Sequence, residues 1–236
     1  MSIRTEVVRY RDGDQDLTGT LFLGATTTEK SPGILVVHGG AGLDEHARQQ
    51  ALRFAELGYV VFACDIYGDG VAGDRQRVMA RIAELRQDIA RLRQRASAGL
   101  KILRSHQQVD DRLAVVGYCF GGMTALELAR SGEKVVGVVS VHGTLGTSHP
   151  AEEGTIKAKI LVCHGALDPH VPMSQVSDFV IEMNTARADF QLVVYGGAMH
   201  GFTHKTGPHP PGVSYDAVTD ARSFNAMGAF LEELFL

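Results

Sequence analysis

Six runs of consecutive apolar residues, at 33–37, 59–64, 113–116, 135–141, 160–163 and 190–195, alternate along the chain with segments that place apolar residues every three or four positions. A run without polar alternation suits a strand buried on both faces, and a three-to-four repeat suits a helix with one buried stripe. Strict alternation of the two has few solutions. It predicts an α/β chain: a mostly parallel, twisted sheet, right-handed crossovers, and helices on both faces. The clearest helical stretch is 74–103, where Val78, Ile82, Leu85, Ile89, Leu92, Leu100 and Leu103 mark one stripe among Arg, Gln and Asp. Further helices are expected over 44–57, 122–130, 174–186 and 215–236. Ahead of them, the β-rich segments 5–10 and 17–23 flank Asp12-Gly13-Asp14, which predicts an N-terminal antiparallel strand pair.

Composition narrows the function. The 236 residues contain no linker-like stretch, so a single domain over 1–236 is expected. A hydrophobic content of 44% supports a core of normal size, and a net charge of -4 leaves no basic excess to neutralise phosphates, so nucleic acid is not an expected partner. The three cysteines, Cys64, Cys119 and Cys163, are too few for a disulfide framework and fit a reducing, cytoplasmic setting. The N-terminus MSIRTEVVRYRDGDQD lacks the apolar stretch of a signal peptide, and no later segment has the apolar length to cross a bilayer. A soluble protein acting on a small molecule, as a monomer or small homo-oligomer, is the expectation.

In such a sheet, ligands collect beyond the carboxyl ends of the strands. There the sequence reads His38-Gly39-Gly40-Ala41-Gly42, Asp65-Ile66-Tyr67-Gly68, Gly117-Tyr118-Cys119-Phe120-Gly121-Gly122, His142-Gly143, His164-Gly165-Ala166-Leu167-Asp168 and Ala198-Met199-His200-Gly201. The third of these places glycines two residues either side of a cysteine at a strand-to-helix junction, which is the nucleophile elbow with Cys in place of Ser. A tight turn there strains the backbone, and side chains at the flanking positions would collide with neighbouring backbone. Asp168 and then His200 follow in the chain order acid, histidine expected of this architecture. The pattern assigns Cys119 as nucleophile, His200 as base and Asp168 as the carboxylate that fixes the imidazole. The backbone amides of Phe120 and Gly40 are the expected oxyanion donors. Cys64 and Cys163, inside apolar runs, are expected to be core residues.

Together GYCFGG at 117–122, HGALD at 164–168 and MHGF at 199–202 resemble the dienelactone hydrolase family, over nearly the whole chain. The resemblance implies a single-domain α/β-hydrolase with a Cys-His-Asp triad at Cys119, His200 and Asp168, acting on esters or lactones. Two positions depart from well-studied members. Gly39 stands where they carry a glutamate that holds the resting thiol, and HGFTH offers His204 where they carry an arginine for the substrate carboxylate. Dienelactone itself is therefore not the expected substrate, and activated phosphotriesters join simple esters and other lactones. His38, Gly39, Tyr67 and His204 are the expected pocket residues. No cofactor and no metal is expected: His200 and His204 have helical i, i+4 spacing, but Gly201 argues against a helix there. A redox- or electrophile-sensing thiol without turnover is the alternative.

Overall fold

The computed structural model describes residues 2–24, 30–68, 70–207 and 209–236. The N-terminal pair forms as expected: β1 (Ile3–Asp12) and β2 (Gln15–Gly24) are antiparallel, from Ile3 opposite Gly24 to Asp12 opposite Gln15. Gly13 turns the corner at a φ of 58°, a left-handed conformation that costs glycine little. The six apolar runs become β3 (Ser31–Val37), β4 (Val60–Cys64), β5 (Val109–Tyr118), β6 (Gly137–Val141), β7 (Lys159–Gly165) and β8 (Phe190–Tyr195). These strands are mutually parallel, β2 joins β4 antiparallel, and the eight-stranded order is β1-β2-β4-β3-β5-β6-β7-β8. From β3 the chain first steps to β4 on one side and then to β5 on the other. The loops after β3 and β5 therefore meet at the point where the winding reverses, where α/β sheets bind their ligands.

The strands bury both faces because the pleat sends alternate side chains to opposite sides. Leu35, Val37 and Val115 join one core, and Ile34, Val36, Ala114 and Val116 the other. Helices α1 (Glu45–Glu56) and α6 (Ala217–Phe235) cover the second face through Ala51, Phe54, Met227 and Phe230. The first face is covered by α3 (Ile89–Ser105), α4 (Phe120–Arg130) and α5 (Met173–Thr185), and Val78 and Leu85 from the segment ahead of α3 join the same core. Leu100 and Leu103 of α3 are fully buried, each contributing about 2 kcal/mol by removal from water.

The expected single helix over 74–103 is two helices, α2 (Arg75–Gln87) and α3. Asp88 divides them, with φ -118° and ψ 78°: its backbone N–H closes α2 on the Glu84 carbonyl, and its side chain accepts from the Arg91 amide to open α3. A residue that ends one helix and caps the next must leave helical geometry. The apolar stripe runs on through Leu85, Ile89 and Leu92, so periodicity alone does not register the break.

Helix α4 is buried along its whole length, and its charged residues are paired accordingly. Arg130 Nη1 meets Glu127 Oε1 at 3.1 Å, Arg130 Nη2 meets Glu182 Oε2 at 2.7 Å, and Arg93 Nη2 meets Glu127 Oε2 at 2.7 Å. Arg130 also donates to the Leu145 carbonyl at 2.6 Å, tying the segment after β6 to α4.

Candidate active site

The chain turns sharply between β5 and α4, and Cys119 occupies the corner at φ 53° and ψ -113°. A left-handed φ on a residue with a side chain costs on the order of 1 kcal/mol or more, so the surroundings must enforce it. They do so by close packing. A Cβ on Gly117 would lie 1.9 Å from the Gly121 carbonyl oxygen, and one on Gly121 would lie 2.1 Å from that of Val37. The two glycines let β3, β5 and α4 converge on the corner, as the sequence pattern predicts. Gly122 and Met123 donate their amides to the Cys119 carbonyl at 3.0 and 3.2 Å, so α4 starts directly beneath the thiol. Its positive end favours a thiolate.

His200 and Asp168 reach this corner from the loops after β8 and β7. His200 Nε2 is 3.1 Å from Cys119 Sγ, and His200 Nδ1 is 2.8 Å from Asp168 Oδ2. The other carboxylate oxygen, Oδ1, accepts the amides of His170 and Val171 at 2.8 and 3.1 Å. Asp168 thus caps its own turn with one oxygen and holds the imidazole with the other. The loops are locked to each other, since Leu167 donates its amide to the Ala198 carbonyl at 2.9 Å. Asp168 and His200 are both buried, and Cys119 is partly buried.

The electrostatics favour a charge-separated pair. Burial alone would push the Cys119 thiol up, but the bond and charge of His200, with hydrogen bonds from the Gly40 and Phe120 amides, bring it below its ordinary value. Burial works against the His200 cation too, yet the Asp168 carboxylate and the sulfur raise His200 to about 10. Asp168 is held below the usual carboxylate range because His200 and the His170 and Val171 amides outweigh its burial. Cys64 and Cys163 are core residues as expected, and burial pushes Cys163 up to about 12 and Cys64 higher still.

Of the expected pocket residues, Gly39 and His204 border the nucleophile. A Cβ on Gly39 would lie 3.6 Å from Cys119 Cβ and 3.8 Å from His204 Cε1. His38 and Tyr67 are different: both are 0% exposed, behind the 38–42 loop, so they support the loop and do not line an open pocket. Three further residues join the site without having been assigned a role from sequence. His46, from the first turn of α1, stacks on His204 with ring centroids 3.8 Å apart. His142, at φ 41° after β6, packs 5.3 Å from His200, and the Thr203 hydroxyl meets Nε2 of both His142 and His46 at 2.9 and 3.0 Å. Burial and the neighbouring imidazoles lower His46 to about 3 and His204 to about 4, and hold His142 well below its ordinary value. The positive charge of the cluster therefore rests on His200. A strand-end position signalled His142, whereas nothing local in the sequence marks His46. Among the described residues, no group of three or more His, Cys, Asp or Glu is placed to hold a metal ion, and no helix is long and apolar enough to cross a membrane.

Comparison with known proteins places this geometry in context. The dienelactone hydrolase family model matches residues 19–235. An uncharacterised Caenorhabditis elegans protein is 37% identical over 153 residues, covering 61% of this chain and 95% of that protein. A Methylorubrum extorquens protein provisionally named carboxymethylenebutenolidase is 27% identical over 184 residues, covering 72% of this chain and 63% of that protein. The crystal structure of a dienelactone hydrolase-like promiscuous phosphotriesterase from metagenomic libraries is 35% identical and superposes with a TM-score of 0.94, each chain covered in full.

Proposed function

Because the chain belongs to the dienelactone hydrolase family, we propose that it hydrolyses carboxylic ester or lactone bonds through Cys119, His200 and Asp168, by way of a covalent cysteinyl intermediate. The observation that carries this reading is a single imidazole bonded on one side to the sulfur at 3.1 Å and on the other to a buried carboxylate at 2.8 Å. A nucleophile within reach of a base, itself oriented by a third group, is the requirement for nucleophilic acyl transfer.

The geometry supports the following sequence of steps. The Cys119 thiolate attacks the substrate carbonyl carbon, and the carbonyl electron pair moves onto oxygen. The Gly40 and Phe120 amides, which favour the charged sulfur, are the donors this reading assigns to that oxyanion. As the tetrahedral adduct collapses, the imidazolium of His200 gives its Nε2 proton to the departing alkoxide, leaving a thioester and a neutral imidazole. Water then attacks the thioester while Nε2 takes one of its protons. Collapse of the second adduct releases the acid and restores the thiolate beside the imidazolium. Throughout, Asp168 keeps Nδ1 protonated and the ring in place.

The test is turnover of p-nitrophenyl acetate and a panel of lactones by the wild-type enzyme and Cys119→Ala. Loss of activity in the variant supports the assignment, and full activity in it defeats the assignment. A second reading is favoured by the relative that is named a promiscuous phosphotriesterase: the same thiolate attacks phosphorus in activated phosphotriesters and expels an aryl oxide. An aryl dialkyl phosphate in the same panel decides it, by continuous turnover or by a single stoichiometric burst.

A further inference from the structure

The oxyanion amide of Gly40 belongs to a flexible diglycine, and its direction must be set by something outside the loop. A trans peptide is planar, with its C=O and N–H pointing in opposite directions. The Gly39 carbonyl and the Gly40 N–H share one such plane, so whatever holds the carbonyl aims the amide.

We propose that His38 and Tyr67 are positioning residues that turn the peptide between Gly39 and Gly40 so that its N–H faces the sulfur and, during reaction, the oxyanion. The His38 ring is wholly buried between two loops. The Ile66 amide, after β4, donates to its Nε2 at 3.1 Å, which leaves the proton on Nδ1. Nδ1–H then donates to the Gly39 carbonyl at 2.8 Å. The Gly42 amide donates to the same carbonyl at 3.2 Å. The Tyr67 hydroxyl also meets the pair, 3.1 Å from the Gly40 carbonyl and 3.4 Å from that of Gly39. The Tyr67 ring cannot drift, since it packs edge-on against His38 with centroids 4.5 Å apart and beside Phe120 at 5.8 Å. With the Gly39 carbonyl drawn back toward His38, the Gly40 N–H points the opposite way, and that amide favours the charged form of Cys119. The loop after β4 thereby governs an amide on the loop after β3, although both side chains are buried.

The inference rests on the cysteine-hydrolase reading, and its test separates the two. His38→Leu keeps apolar bulk and removes the donor, whereas His38→Asn keeps an N–H near the position of Nδ1. For His38→Leu the expected result is a fall in kcat of about tenfold to a hundredfold with KM little changed, because a misdirected oxyanion donor costs somewhat less than a lost one. Titration of the thiolate by its ultraviolet absorbance should show its midpoint moving upward, since one amide no longer favours the charged sulfur. His38→Asn should recover most of both. Tyr67→Phe, which removes one oxygen from a ring that stays packed, should shift both in the same direction by less, and it decides the matter if His38→Leu does not fold. Unchanged kcat and midpoint in a folded His38→Leu or in Tyr67→Phe overturns the inference, as does equal loss in Leu and Asn variants without a midpoint shift. The midpoint needs no turnover, and Cys119→Ala is assayed alongside, so failure of the hydrolase reading is recognised separately.

Discussion

Replacing Gly121 by alanine attacks the nucleophile corner where it is tightest. The new Cβ would stand 2.1 Å from the Val37 carbonyl oxygen and 2.6 Å from that of His38. The shorter distance is about 1.3 Å inside ordinary van der Waals contact. Both oxygens are backbone at the end of β3, so neither can swing aside as a side chain would. Relief requires α4 to back away from β3. Overpacking commonly costs about 1–3 kcal/mol, and a clash between backbones belongs at the upper end, so a loss of about 3 kcal/mol is expected. The start of α4 carries Cys119 and the Phe120 amide, and a displacement near 1 Å at a reacting group can cost about a hundredfold in rate. Urea unfolding followed by far-ultraviolet circular dichroism measures the first effect, and steady-state ester hydrolysis the second. Gly196→Ala, where nothing lies within 4 Å, is the control and should stay close to wild type in both. A Gly121→Ala protein within 1 kcal/mol of wild type and within a factor of three in kcat would refute the packing argument.

Asp168→Asn should lower kcat by about 10³–10⁴ with little change in KM, because an amide no longer fixes the imidazole tautomer; a loss under tenfold contradicts the role. The thiolate and imidazolium titrate as a pair, so kcat/KM should rise at a pH below that of an ordinary thiol, level off, and fall near 10, where His200 loses its proton. The stabilisation that comes with the raised His200 is complete below its ordinary 6.5 and lost as the pH rises through about 10, which urea midpoints across that range should reveal. With Gly39 in place of a carboxylate beside the sulfur, iodoacetamide should alkylate Cys119 faster near neutral pH than it does free cysteine; an equal rate contradicts a resting thiolate. Glu127→Gln, which takes from buried Arg130 one of its two carboxylates and from Arg93 its partner, should cost about 3 kcal/mol in urea unfolding, the lower end for a broken buried pair because Glu182 still meets Arg130.

Much of this was legible in the sequence because the relevant constraints are local. Buried parallel strands require unbroken apolar runs, and each of the six runs became a strand. The corner at Cys119 requires small neighbours, and Gly117 and Gly121 declared it. Less was legible wherever contacts join distant segments. His46 lies 157 positions from the Thr203 hydroxyl that it meets, and no spacing rule connects a helix start to a loop after the last strand. His38 and Tyr67 looked like pocket residues because they follow strands, but their burial is set by how the loops after β3 and β4 stack. The break at Asp88 was hidden for a different reason, as one capping residue changes the backbone without interrupting the stripe.

During turnover Cys119 is expected to become covalently acylated. Enzyme quenched in acid while hydrolysing a slowly turned-over aryl ester, then digested and weighed by mass spectrometry, reports on it directly. The expected result is the mass of the acyl group on the peptide containing Cys119, appearing and decaying at rates that match turnover, with Cys64 and Cys163 unmodified. Steady hydrolysis with that peptide never acylated would contradict it.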